Sequence, residues 1–537
     1  MLGRGAWWAW ARTRAAPMAA AAAGLGLFLL YLLSFPDVRS DAYVLIDDGV
    51  WYMRMVEAGN LVWLLHPHHL LYHLQPFALY KLLLQWWPSP LATLWAHRLV
   101  DAAYGAAGIL LFWRAALRIA GDRWAAGLAA AGLAASASYW FHAGLPENAI
   151  AGAFGLILVL WALARALERP ASGGAWLAVG LAHAFAVLMR KDGVLAAPLV
   201  LCALLAAARG RGRLRAAAAY LAPLGAAVAA AYAVAYLVVV RPALGPEANF
   251  LRWLGKNAVA GDWGRLDMIT PANLWYVLLA FLHAVSPAAG TPALLVPVAV
   301  AVGLLAREVA PGGMRRWRGW IAGCLAWLAL RVVFYAWFDP QNAFMWGIGT
   351  LPAIWLLFAP AVAAARRPRP ARASALAVVL LVAAGTVGGL IVPAQGHAYA
   401  EEADRWRQAT AKGDLILTNN YPLHMALKGL GEREAIFLPR ALRSWWYGFT
   451  DATLRAYVAG RQEKAALYAT GDVDDRQEIW TDFTAGPRAR FERPVPLLYD
   501  APRINAFIKA FPWYPTVIGV TAAGPMTAWR LEGRRGG

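Results

Sequence analysis

Long apolar runs separated by short arginine clusters constrain this chain more than any other feature of its sequence. Pro17–Phe35, Ala216–Val240 and Ser374–Val392 each hold enough consecutive apolar residues to cross a hydrocarbon core of about 30 Å at about 1.5 Å per helical residue. Sixty per cent of the residues are hydrophobic and only 15% are charged, which excludes an ordinary soluble domain. The chain is therefore expected to be a polytopic α-helical membrane protein.

The net charge of +19 does not point to nucleic acid. Much of it lies in the clusters Arg4/Arg12/Arg14, Arg209/Arg211/Arg213/Arg215, Arg315/Arg316/Arg318 and Arg366/Arg367/Arg369/Arg372, between apolar segments. That pattern sets orientation in a bilayer and is not how a polyanion site is built. Placing every cluster in the cytoplasm predicts about eleven spans. These are residues 17–35, 93–117, 124–144, 149–167, 174–189, a short sixth span after the turn Arg190–Gly193, then 217–240, 291–306, 319–338, 344–363 and 373–393. Residues 36–92 form a first external loop. Within it Leu70–Trp87 is expected to lie at the interface, as is Trp275–Val285 further on, because making either a span would put arginines outside.

The membrane module is read as 1–393, followed by 394–537 as an external domain. There, short β-rich runs at Leu415–Thr418, Ala435–Leu438, Ala466–Thr470 and Thr516–Val520 alternate with helical patterns at Tyr421–Leu430 and Ala452–Gln462. This reads as a small α/β domain with no phosphate-binding glycine motif. Cys202 and Cys324 lie inside apolar runs and offer neither a disulfide framework nor a metal spacing. The abundance of Ala and Arg is compatible with a GC-rich bacterium.

Chemistry-bearing residues gather at the external ends of the spans. Asp47 and Asp48 either cap the helix that follows them or act as a general base or as a group that orients an acceptor nucleophile, with a metal as an option. His66, His68 and His69 do not have helical ligand spacing, so hydrogen bonds to a phosphate or a helix start at Pro67 compete with a metal role. Glu147, after Tyr139–His142, is either an exposed loop acid or faces the same space as Asp47. Arg190 and Lys191 interrupt two short apolar runs. Arg190 either pairs with Asp192 or joins Lys191 in binding a lipid-linked phosphate. Arg331 either snorkels to the interface or holds the same anion. Asp339–Asn342 and Trp346 form a weaker external candidate.

Ile46-Asp47-Asp48-Gly49, followed by Tyr52, Gly59, His66-Pro67 and Tyr72, resembles the first external loop of the GT-C glycosyltransferase superfamily, in its protein O-mannosyltransferase and lipid A aminoarabinose transferase branches. Trp140 and Glu147 match a second spacing after the third helix. In this sequence Asp48 stands where those branches carry Glu and a further bacterial branch carries Ser, and His68 stands where they carry a second Pro. The resemblance implies a GT-C-like fold of about eleven spans with juxtamembrane helices and a soluble C-terminal domain. It implies transfer of a sugar from a polyprenyl-phosphate donor to a protein, lipid or glycan acceptor, on the outer face of a bacterial cytoplasmic membrane. Asp47 would be the base in an inverting single displacement, Asp48 its support, Glu147 a shaper of the acceptor site and His66 a neighbour of the donor phosphate, with His69 and Tyr72 among the substrate-binding residues. No cofactor is implied, with an optional divalent cation held open. A secondary transporter with midplane acids, or a membrane scaffold presenting the C-terminal domain, are the competing classes.

Overall fold

The computed structural model describes residues 4–35, 37, 49–208, 210–245, 249–255, 269–287, 292–309, 317–338, 347–392 and 395–418, the helical positions 423, 424 and 427, and strands 434–437, 467–470, 513–521 and 524–531. Each predicted span coincides with a helix or with two consecutive helical pieces. Ala92–Ala120, Ala149–Glu168, Arg211–Ala243, Arg318–Phe338 and Pro368–Ile391 are each long and apolar enough to cross a membrane. Met18–Ser34, Gly173–Met189 and Ile348–Ala363 are shorter apolar helices among them. The protein is a multi-pass membrane protein.

The bundle core is rich in alanine, interleaved with Leu, Ile and Val and a few aromatic anchors, and small residues let helices approach closely in a membrane. Gly132 lies against the Trp355 ring, and a Cβ there would sit 2.2 Å from ring carbons. The Trp355 indole donates to Ser136 Oγ at 2.8 Å. Ser136 is also where the third span divides, into Arg123–Ala135 and Ala137–Gly144. Its backbone is extended, and its hydroxyl donates back to the Gly132 carbonyl at 2.8 Å. The break swings Tyr139 inward, where its hydroxyl donates to the Gly105 carbonyl at 2.8 Å.

Of the two predicted interfacial stretches, Leu70–Trp87 is helical only from Leu74, whereas Trp275–Val285 is helical throughout. Residues 66–73 form consecutive turns, with His69, Leu70, Tyr72 and His73 buried, and only then does the helix Leu74–Trp86 begin. That helix packs on Ala92–Ala120 and leaves Leu82, Trp86 and Trp87 exposed, a distribution suited to a membrane surface. Pro271–Val285 packs Val277 and Phe281 against Tyr335 and Ala336 of Arg318–Phe338. It is thus a partner of the bundle more than a surface helix.

One end of the bundle is closed by ion pairs between connecting segments. Arg118 meets Glu168, Arg367 meets Glu308 at 2.7 Å, and Arg372 meets Asp122 at 3.1 Å. The Trp317 indole donates to the Ile119 carbonyl at 2.8 Å. These are the segments that the charge pattern places together on one face.

After the last span, the helix Ala398–Ala409 precedes a five-stranded sheet of order β2-β1-β3-β5-β4: β1 Leu415–Thr418, β2 Glu434–Phe437, β3 Leu467–Thr470, β4 Trp513–Thr521 and β5 Gly524–Leu531. Strand β1 runs parallel to β2 and β3, whereas β5 is antiparallel to both β3 and β4. Trp406 of the helix packs with Ile416, Ala435 and Tyr468. Strand β5 was not anticipated from its sequence, because Gly524-Pro525 and Arg530 blur its alternation. Of the predicted helix Tyr421–Leu430, positions 423, 424 and 427 are helical, and Ala452–Gln462 lies outside the described residues.

Candidate active site

The other end of the bundle gathers buried polar side chains from segments far apart in sequence. The helix Gly49–Ala58 starts directly after Asp47 and Asp48, which lie outside the described residues. It buries Tyr52, Met55 and Val56 against Leu64, Tyr72 and Met189, and its Glu57 accepts from Thr93 Oγ1 at 2.7 Å. Gly59, with φ +63°, ends that helix in a left-handed conformation, after which the chain turns toward the histidines.

His66–His69 is clamped from below by the Arg190 turn. Lys191 N–H donates to the His68 carbonyl at 2.9 Å, and Leu71 N–H donates to the Leu188 carbonyl at 3.1 Å. The Tyr232 hydroxyl donates to the Pro67 carbonyl at 2.6 Å. The His66 ring stacks on His69 with centroids 4.5 Å apart, and His69 meets His73 edge-on at the same separation. Burial, reinforced by His66, His68 and Arg190, holds the His69 imidazole well below its usual range, so the ring is neutral at pH 7. His69 thus packs between Tyr52 and His73 as an uncharged ring.

Glu147, for which an exposed loop position was one expectation, is 2% exposed. Its backbone N–H donates to Asp101 Oδ2 at 3.3 Å, and the next residue, Asn148, donates to the Tyr52 hydroxyl at 2.7 Å. Tyr72 donates to Asp101 at 2.9 and 3.0 Å. Burial and the neighbouring Asp101 carboxyl push the Tyr72 phenol well above its usual range, which keeps it a donor. The site thus brings together Tyr72, His66, His69, Glu147, Arg190 and Lys191, with Asp101 joining them from inside a span. Asp101 was not singled out from the sequence. The available signal was an ionisable residue within an apolar helix, which is a functional candidate by default in a membrane.

Arg331 does not snorkel. It is fully buried and pairs with Asp192 at 2.7 Å, while Arg190 meets the other oxygen of Asp192 at 3.1 Å. Tyr335 donates to the same carboxylate at 2.6 Å. Gly349 permits this, since a Cβ there would lie 2.2 Å from Arg331 Nη2. Asp192 therefore links the Arg190 turn to Arg318–Phe338. Lys191 is half-buried, and its ammonium donates to the Leu254 carbonyl. Burial lowers its pKa to about 8. Among the described residues no group of three His, Cys, Asp or Glu side chains is arranged to hold a metal ion. Asp339–Asn342 and Trp346 lie outside the described residues.

Residues 91–236 match the family model described as Dolichyl-phosphate-mannose-protein mannosyltransferase. The structure resembles the crystal structure of ArnT from Cupriavidus metallidurans in the apo state, over 97% of this chain and 98% of that one, with a TM-score of 0.56 at 14% identity. The same protein bound to undecaprenyl phosphate aligns over 95% and 97% of the two chains, with a TM-score of 0.54 at 14% identity. The oligosaccharyltransferase of Archaeoglobus fulgidus in complex with Zn and sulfate is a looser match, over 84% of this chain and 68% of that one, at 13% identity and a TM-score of 0.46. No curated protein matches the sequence.

The chain has the GT-C glycosyltransferase fold. The family match covers the segment that carries Asp101, Glu147, Arg190 and Lys191.

Proposed function

We propose that the protein transfers a sugar from a polyprenyl-phosphate donor to an acceptor at the external face of a bacterial cytoplasmic membrane, with the C-terminal domain, residues 394–537, on that same side. The observation that carries this reading is the convergence, at one end of an apolar bundle, of the loop following Asp47-Asp48, the Glu147 turn and the Arg190-Lys191 turn. A lipid-linked donor needs its chain in hydrocarbon and its phosphate at a polar boundary, and this end offers both.

In the proposed reaction the Asp47 carboxylate takes the proton of the acceptor hydroxyl. The acceptor oxygen forms the new bond to the anomeric carbon as the bond to the phosphate oxygen breaks. Polyprenyl phosphate leaves with the electron pair, and the configuration inverts. Asp48 orients Asp47, and Glu147 shapes the acceptor side. Arg190 and Lys191 face the phosphate, where cationic donors stabilise the leaving anion. His66, His69 and Tyr72 line its approach, while Arg331 acts at one remove, through Asp192. The ArnT structure holding undecaprenyl phosphate makes that lipid phosphate the first donor carrier to try.

The test is sugar transfer in membranes with polyprenyl-phosphate donors, comparing wild type with Asp47→Asn. Equal transfer by both removes Asp47 as base. Cysteines placed at Gly49 and Gly210 test the orientation, and only the first is expected to react with an impermeant reagent added outside.

A further inference from the structure

Asp101 is the one fully buried carboxyl inside the helix Ala92–Ala120, and its hydrogen bonds run to two segments that each carry a candidate acid. Through Tyr72 it holds the first external loop, at 2.9 and 3.0 Å. Through the Glu147 N–H, at 3.3 Å, it holds the turn between Ala137–Gly144 and Ala149–Glu168. A second tie runs in parallel, from Asn148 to Tyr52 on the helix that begins one residue after Asp48. Burying a carboxyl among apolar helices is expensive, and a hydrocarbon side chain would fill the position at less cost. The presence of an acid there is explained by what it holds.

Resting on the glycosyltransferase reading above, we infer that Asp101 is a positioning residue that fixes the spacing between the Glu147 turn and the Tyr72 segment of the first external loop. Reacting groups held to within a fraction of an ångström supply much of an enzyme's rate, and a shift of about 1 Å costs on the order of 10²-fold. Asp101 touches neither donor nor acceptor in this scheme. It accepts hydrogen bonds from the two segments that do.

The experiment compares Asp101→Leu, Asp101→Asn and Tyr72→Phe in two readouts, steady-state transfer from a polyprenyl-phosphate sugar and amide hydrogen exchange of the peptide containing Glu147. Asp101→Leu is expected to lower kcat by about 10²-fold with little change in donor KM, and to speed exchange at Glu147. Asp101→Asn keeps a carbonyl acceptor and is expected to restore most of kcat and of the protection. Tyr72→Phe removes one of the two ties and is expected to fall between them, and it carries the test if the leucine variant does not fold. Unchanged kcat in Asp101→Leu overturns the inference. So does equal loss in the asparagine and leucine variants, or a fall in kcat without faster exchange. If wild type transfers no sugar from any such donor, the glycosyltransferase reading fails by itself, and exchange still reports whether Asp101 holds the Glu147 turn.

Discussion

The two ends of the helix Ala92–Ala120 solve different problems with the same kinds of residue. Near its end, Arg118 meets Glu168 with both side chains well exposed, at 39% and 49%. The neighbouring pairs Arg372–Asp122 and Arg367–Glu308 are likewise open to solvent on at least one side. Pairs of this kind orient loops and add little stability. Near its start, Arg98 and Asp101 are fully buried, and close by in the fold His69, His73, Glu147, Arg190 and Arg331 are buried as well. Buried polar groups stabilise a fold less well than apolar packing of the same volume. The chain thus keeps inexpensive charge at one end and expensive polarity at the other, and the expensive end is where chemistry belongs.

The sharpest way to break this contrast is Asp47→Asn, expected to reduce transfer by about 10²–10⁴-fold, as loss of a general base does, in a membrane assay with a polyprenyl-phosphate sugar. Next, Asp192→Ala removes the carboxylate shared by Arg190 and Arg331 and is expected to cost about 3 kcal/mol, read as a lowered unfolding temperature in detergent. A stability equal to wild type would mean the triad is not a buried structural unit.

Lys191 gives a pH test. Its pKa falls from 10.5 in the unfolded chain to about 8 in the fold, so below pH 8 both states are protonated and the fold bears the full cost of a buried ammonium. As pH rises from about 8 to 10.5, the folded state releases its proton before the unfolded state does. Stability attributable to Lys191 therefore increases across that window. Lys191→Met is expected to narrow the difference between stability at pH 7 and pH 10, and an unaltered pH profile would refute the burial cost. Smallest of all, Arg118→Ala at the opposite end is expected to change stability by less than about 1 kcal/mol and to leave transfer unchanged. A loss of transfer there would erase the distinction between the ends.

Much of this was legible before any coordinates. Apolar runs longer than a bilayer, punctuated by arginines, left helices as the only way to satisfy the backbone in hydrocarbon, and every predicted span coincides with helix. The motif around Asp47 to Tyr72 led to the glycosyltransferase class. The pairing of Arg190 with Asp192 was readable as an alternative because the two lie side by side in sequence.

What remained hidden depended on contacts between distant residues. Periodicity could not show that Arg331 reaches across 139 residues to Asp192, or that Tyr72 and the Glu147 turn meet on Asp101. It could not show either that His69 is buried against Tyr52 or that the His68 carbonyl is bound by the Arg190 turn. Strand β5 was missed because partners across a sheet, more than its own residues, define it. The sequence by itself determined that the chain crosses a membrane and which residue types stand at its ends, since hydrocarbon thickness and loop charge act on each segment locally. Only the tertiary structure decided which of those residues share a site, because burial and hydrogen bonding are set by what lies opposite a side chain.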